Sequence, residues 1–254
     1  MSTAAFQLYL WPHRVVYLGV SPDNERHRHH AAQLCVGLDA DVQVRASADD
    51  TWLSAKAVLI PPDQDHQVDA GSGRILALYW EPESDDYPFN DIPETLQPYP
   101  VTADGRDWLR QSFDDRPDAA QLWARCEYAF NIQSRKSLAG ADARVNAVIN
   151  HIRRVPQEDH GVDALAARVH LSPSRLSHLF KAHVGVPIRQ FVLWTRARTV
   201  VVLAVKGATL TEAAHATGFA DAAHMSNAFR RMFGFAPSAL FIQTVPKVIV
   251  VVGD

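Results

Sequence analysis

Two different hydrophobic periods divide the chain. Val15 to Val20, Leu34 to Leu38, Ala57 to Ile60 and Ile75 to Trp80 are short apolar runs. Turn material separates them: S-P-D-N at 21–24, D-A-D at 39–41, P-P-D-Q-D at 61–65 and G-S-G at 71–73. Short strands at this spacing predict an all-β sandwich or barrel. The proline-studded acidic stretch from Pro82 to Pro100 is predicted to wrap the surface and end it.

From Asp118 the period becomes helical. Ala119, Leu122, Trp123, Cys126 and Phe130 form one stripe behind Pro117 and a capping Asp118, and Trp108, Leu109 and Phe113 suggest a helix before it. This segment, 104–132, either closes the β domain or joins two copies, because one apolar stripe serves both purposes. Q-S-R-K-S-L-A-G-A-D at 133–142 is polar and aperiodic, as a linker is. Beyond it Val145, Val148, Ile149 and Ile152 mark a helix, Val162 to Arg168 a short one, and 187–206 a long one.

The second half repeats itself. Ala166…Leu171-Ser172…Phe180-Lys181…Gly185 recurs as Ala214…Phe219-Ala220…Phe229-Arg230…Gly234. Each copy reads as a short helix, a tight turn and a second helix that stops at glycine, which is a helix-turn-helix. In the first, Ser172 caps, Pro173 fits the first helical position, and Leu176, Leu179, Phe180 and Val184 face inward. Ser174, Arg175, His178 and Lys181 then face outward with no carboxylate among them. In the second, Asp221 caps, Met225, Ala228, Phe229 and Met232 face inward, and Ala223, Ser226, Asn227, Arg230 and Arg231 face outward. Such faces suit a major groove: Arg reads guanine, Asn reads adenine, small side chains touch a thymine methyl, and the later cations meet phosphate. Two helical hairpins that merely pack together, with a solvated basic face, is the alternative.

Charge decides between them. The 254 residues carry a net charge of only −3, which conceals a split. Residues 1–132 hold 10 Lys and Arg against 21 Asp and Glu, a balance of −11, and residues 133–254 hold 15 against 7, a balance of +8. A basic module that carries the repeat seeks a polyanion, here double-stranded promoter DNA. With 47% hydrophobic residues the chain can bury a core, and two cysteines suggest a reducing cytosol rather than a disulfide framework. No basic leader and no apolar run of membrane-spanning length occurs, so the expectation is a cytoplasmic protein with no membrane partner.

L-S-P-S-R-L-S-H-L-F-K…G…P and A-T-G-F-A-D-A-A-H-M-S-N-A-F-R-R-M-F-G-F-A-P-S-A-L resemble the AraC/XylS family of bacterial transcription regulators over about 142–243. The resemblance implies two helix-turn-helix units joined by the long helix from Pro187, with reading helices in successive major grooves. The chain departs from that family at His170, where the first turn usually has glycine, and at Met225, where an aromatic is usual. V-P-K-V-I-V-V-V-G-D at 245–254 is unusual after such a domain; it is either a docked strand or a loose tail.

A regulator of this kind needs a sensor, and N-E-R-H-R-H-H-A-A-Q at 24–33 offers one. His27-Arg28-His29…Gln33 resembles the cupin H-x-H-x-x-x-E motif with glutamine for glutamate, and Ile60 to His66 resembles the second cupin motif. In an extended strand 27, 29 and 33 share a face and His30 points away. Three imidazoles and an amide oxygen at His27, His29, Gln33 and His66 suit Zn²⁺, Ni²⁺, Fe²⁺ or Mn²⁺. A metal-free effector pocket, a core cluster and a solvated patch with Arg26 and Arg28 are the alternatives. Tyr79 and Trp80 are weaker candidates for pocket walls.

The expectation is therefore a multidomain protein: a cupin-like all-β barrel with one or two following helices (1–103 and 104–132), a linker (133–142), an all-α double helix-turn-helix domain (143–243) and a tail (244–254). Its function would be transcription regulation, as a homodimer through 104–132, under a metal or small-molecule effector, touching RNA polymerase if it activates. A metal-dependent cupin enzyme, of dioxygenase or isomerase type, fused to a DNA-binding module is the competing reading.

Overall fold

A computed structural model describes residues 6–88, 93–132, 142–241 and 247–251, the last in backbone only. The chain divides into two compact units, Met1–Lys136 with Ile242–Asp254, and Ser137–Phe241. Nearly all of the expected linker, 133–141, lies outside the described residues.

Unit 1 is built on two sheets. Strands β1 (Phe6–Leu10), β2 (Arg14–Val20), β3 (Ala32–Gly37), β6 (Ala57–Ile60), β8 (Arg74–Trp80), β9 (Gln97–Pro98) and β10 (Lys247–Val251) form the larger, in the order β10-β1-β2-β8-β3-β6-β9. Strands β4 (Val42–Arg45), β5 (Leu53–Ala55) and β7 (Gln67–Asp69) form the smaller, in the order β5-β4-β7. All four expected apolar runs are strands. β3 is buried at every position because it lies between β8 and β6, with Gln33 opposite Tyr79 on one side and Ile60 on the other. The tail is resolved in favour of the docked strand: β10 pairs in parallel with β1, Phe6 opposite Lys247 and Leu10 opposite Val251.

Helices α1 (Ala103–Asp115) and α2 (Ala119–Phe130) form a hairpin that belongs to this unit. Thr102 caps α1, and Asp118 with Gln121 makes a capping box on α2. Leu109, Leu122, Cys126, Ala129 and Phe130 join Leu18, Leu34, Leu76, Leu78 and Trp80 in one core. The helical stripe thus closes the β unit, so 104–132 is no separate segment. Gly105 permits the approach: a Cβ there would stand 2.5 Å from the Ala129 Cα. Arg14 pins the same helix to the sheet. Its guanidinium lies 3.7 Å from the Trp123 ring centroid and 5.3 and 5.4 Å from those of Trp11 and Trp80, and it bonds Asp86.

Unit 2 is helical throughout its described residues: α3 (Ala143–Arg154), α4 (Val162–Arg168), α5 (Pro173–Val184), α6 (Ile188–Val205), α7 (Leu210–Ala216), α8 (Ala222–Phe233) and α9 (Ser238–Phe241). The β-branched run Thr199 to Val202 stays helical within α6, where Val200 and Val201 are buried. Tertiary burial outweighs the weak local propensity there. Phe180, Phe191 and Phe229 have no exposed surface, and a ring buried this fully stabilises by about 1.5–3 kcal/mol.

Candidate functional site

The four sequence-predicted sensor residues come together, though on different backbone from that expected. His27 and His29 precede β3 in an irregular segment, and only Gln33 lies in a strand. An isolated bridge joins His27 to His66, with His27 N–H donating to the His66 carbonyl at 2.9 Å and His66 N–H returning the bond at 2.8 Å. Side-chain parity on one strand is therefore the wrong reason for a correct convergence. His30 does point elsewhere: its Nε2 meets Glu83 Oε2 at 2.7 Å in a buried pair.

All four side chains are at most 5% exposed. The ring centroids of His27 and His66 are 4.2 Å apart and those of His29 and His66 5.0 Å, and one ring nitrogen from each of the three histidines lies within 4.8 Å of the others. Tyr79 stands edge-on to His29 at 5.1 Å and so forms a wall, whereas Trp80 belongs to the Arg14 cluster.

The tautomers follow from hydrogen bonding. Nδ1 of His27 lies 2.8 Å from the Glu25 carbonyl, Nδ1 of His29 2.8 Å from that of Ala31, and Nδ1 of His66 2.8 Å from that of Gln64. A carbonyl oxygen only accepts, so each Nδ1 carries the proton and donates it. Each neutral ring then presents a lone pair at Nε2. Gln33 Oε1 is 2.9 Å from Nε2 of His29 and 3.1 Å from Nε2 of His66, and it too is an acceptor. Two arrangements make these contacts favourable: the amide turned over, so that its NH₂ donates to both rings, or a cation among the donor atoms. Burial keeps the rings neutral, holding His27 down at about 3 and His29 at about 4, with His66 also well below its usual range. Near neutral pH the rings would bind a metal without first losing protons. The backbone bonds at Nδ1 are the outer support that orients imidazole ligands. The residues fit a transition metal.

The other candidate surface lies in unit 2. Ser172 caps α5 and accepts from the Arg175 N–H, Pro173 takes the first turn, and Gly185 closes the helix at φ 84°. Asp221 caps α8 and accepts from the His224 N–H, and Gly234 closes it at φ 76°. Ser174, Arg175, His178, Lys181, Ala223, Asn227, Arg230 and Arg231 are exposed, as the sequence reading has them, whereas Ser226, also read as outward, is half-buried. Leu176, Phe180, Met225 and Phe229 are buried on the opposite faces.

A family model described as a helix-turn-helix domain matches residues 165–242. A putative AraC-like transcription regulator of Streptomyces antibioticus is 30% identical over 131 residues, which cover 51% of this chain and 39% of that protein. The C-terminal unit holds a helix-turn-helix domain and is similar to part of an AraC-like regulator. The Msm operon regulatory protein of Streptococcus mutans is 26% identical over 106 residues, covering 40% of this chain and 38% of that protein. The chain spans about two fifths of the length of the curated relatives it matches. Among solved structures, ToxT of Vibrio cholerae matches with a TM-score of 0.62 at 11% identity, covering 92% of this chain and 98% of that one. A ToxT structure with an unsaturated fatty acid bound matches at 0.58 and 10%. These likenesses are of fold: a β-rich unit followed by a helical unit.

One brace inside the helical unit escaped the sequence reading. Arg196 on α6 donates to the carbonyls of Pro156 at 2.8 Å, Glu158 at 2.9 Å and Gly218 at 2.7 Å, tying the loop after α3 to the turn of the second repeat. The signal was present in the sequence: Val192, Arg196 and Val200 share one stripe at four-residue spacing, which sets a lone cation on a buried face.

Proposed function

We propose that this protein is a sequence-specific DNA-binding transcriptional regulator whose N-terminal unit binds an effector at His27, His29, Gln33 and His66. The observation that carries the reading is the pair α5 and α8, capped alike and each exposing a cationic, carboxylate-free face. The names of the curated relatives support it.

For the effector we favour a divalent transition metal, Zn²⁺, Ni²⁺, Fe²⁺ or Mn²⁺, because one nitrogen from each of three imidazoles converges within 4.8 Å and the Gln33 amide oxygen stands 2.9 Å from His29 Nε2 and 3.1 Å from His66 Nε2. Such an ion would supply the positive charge that makes these contacts attractive. With Zn²⁺, four protein donors would complete a four-coordinate site, where catalytic zinc keeps a position open. For that ion the ligand count favours a sensor over a dioxygenase or isomerase; for Ni²⁺, Fe²⁺ and Mn²⁺, which take more ligands, the attached basic unit favours it instead. The fatty acid held by ToxT supports a small-molecule effector as the second reading.

The protein would act in the cytoplasm as a homodimer. The Trp108 and Tyr128 rings lie 4.7 Å apart, tilted by 31°, on the outside of the α1–α2 hairpin, 45% and 48% exposed, and so offer an apolar contact to a second copy. Contact with RNA polymerase would follow if it activates.

The test is selection from a random-sequence duplex pool with untagged protein, with and without chelator, alongside elemental analysis. Enrichment of two half-sites about one helical turn apart, altered by the chelator, is expected. No enriched sequence in either condition refutes the regulator reading, and full enrichment with no bound metal and no chelator effect refutes the metal.

A further inference from the structure

The chain leaves unit 1, builds the DNA-binding unit, and returns to unit 1 as β10. The DNA-binding unit is thus held at both ends. Among the described residues β10 is the outermost strand and pairs only with β1, over five residues. Its sequence, K-V-I-V-V, is strongly strand-forming. β1 does not depend on it for its place. It pairs along its whole length with β2, and Gln7 and Tyr9 donate to the carbonyls of Phe113 and Pro117 in the helical hairpin. Undocking β10 would therefore uncover one edge of the sheet and leave the rest standing.

We propose that β10 is a releasable strap that restrains the DNA-binding unit. Only residues 242–246 connect it to α9, and five residues span at most about 18 Å. With β10 docked, the basic unit is leashed twice to a unit whose own charge is of opposite sign. A second tether raises the effective concentration of one unit around the other. The charge of −11 on residues 1–132 then adds to the field that an approaching DNA phosphate meets. With β10 released, a single connection lowers that local concentration of negative charge. This rests on the DNA-binding reading above.

The experiment compares the full chain with a chain ended at Phe241, and with Val248→Pro and Ile249→Pro in the full chain. Successive amides of an edge strand face alternately toward and away from the neighbour, so one proline should break the pairing with β1 and the other be tolerated. Hydrogen exchange of Phe6–Leu10 reads docking directly. Anisotropy with a random-sequence duplex of about 40 base pairs reads DNA affinity, at about 50 mM and about 300 mM salt.

Truncation and the disruptive proline should speed exchange in β1 and raise affinity about threefold or more at low salt, a gain that shrinks at high salt. Three results would overturn the strap: unchanged β1 exchange on truncation, equal DNA affinity despite faster exchange, or a dimer that truncation turns into monomer. The last would mean that β10 pairs between chains. Binding by the full chain with no effect of truncation removes the strap alone. Binding by no variant removes the regulator reading with it. If the truncated chain does not fold, the two prolines carry the same comparison.

Discussion

His170 and Gly218 occupy the same turn in the two helical repeats, and both are left-handed, with φ of 55° and 80°. The strain of a non-glycine residue there is about 1–2 kcal/mol, partly offset by the roughly 0.5–1 kcal/mol of backbone entropy that glycine would lose. His170→Gly should therefore stabilise the helical unit by about 0.5–1 kcal/mol, read from urea unfolding. Gly218→Ala should destabilise it by about 2 kcal/mol or more, since the new Cβ would stand 2.7 Å from the Gln157 carbonyl and 3.0 Å from the Arg196 guanidinium. A His170→Gly protein that unfolds more easily would contradict this.

Gln33 is the weakest donor of the imidazole site, being neutral. Gln33→Glu should tighten Zn²⁺ or Ni²⁺ binding about tenfold or more by adding the missing charge, measured by calorimetry on untagged protein. In the alternative arrangement, with the amide donating to both rings, the carboxylate removes two hydrogen bonds and brings no metal. Loss of stability without a gain in metal affinity would select that arrangement.

Acid should unfold the metal-free N-terminal unit early. Its buried histidines have folded values of about 3 for His27 and about 4 for His29, against about 6.5 in an unfolded chain. Between those values the unfolded chain binds more protons, so stability is complete above about pH 6.5 and is lost as pH falls toward 4 and below. Each histidine contributes a slope of up to about 1.4 kcal/mol per pH unit. Thermal melts in chelator across that range should show the decline, and His66→Phe should flatten it. A melting temperature level from pH 7 to pH 4.5 would be incompatible with neutral buried rings.

If α5 and α8 read DNA as proposed, Arg175→Ala and Asn227→Ala should each relax base preference at one position of a selected site, costing about 1–3 kcal/mol there. Arg231→Ala should weaken all duplexes alike and reduce the salt slope by about one. Binding curves over a series of single-base substitutions separate the two behaviours.

The helical half was legible almost residue by residue, because its caps, inward stripes and stop glycines are local. Ser172, Asp221, Gly185 and Gly234 each act within a few positions of themselves. Four strands of the first half, β2, β3, β6 and β8, were legible as apolar runs, whereas β1, β4, β5, β7 and β9 were not. What the sequence hid was long-range. His27 meets His66 through a bridge between irregular segments, Arg14 finds Trp123 over a hundred residues away, and the last strand returns to the first. None of these pairings leaves a periodic trace. The helices at 103–130 could be read as helices, but the partner of their stripe is a sheet, and a stripe alone does not say what it covers.

Cutting this protein at its apparent domain border therefore has a cost that a linear map conceals. An excised sensor ending near Lys136 would lack the strand that shields Phe6–Leu10, and a bare hydrophobic sheet margin invites self-association. Fragments of the N-terminal unit intended for ligand screening would be better made by fusing 247–251 back through a short artificial connection than by simple excision.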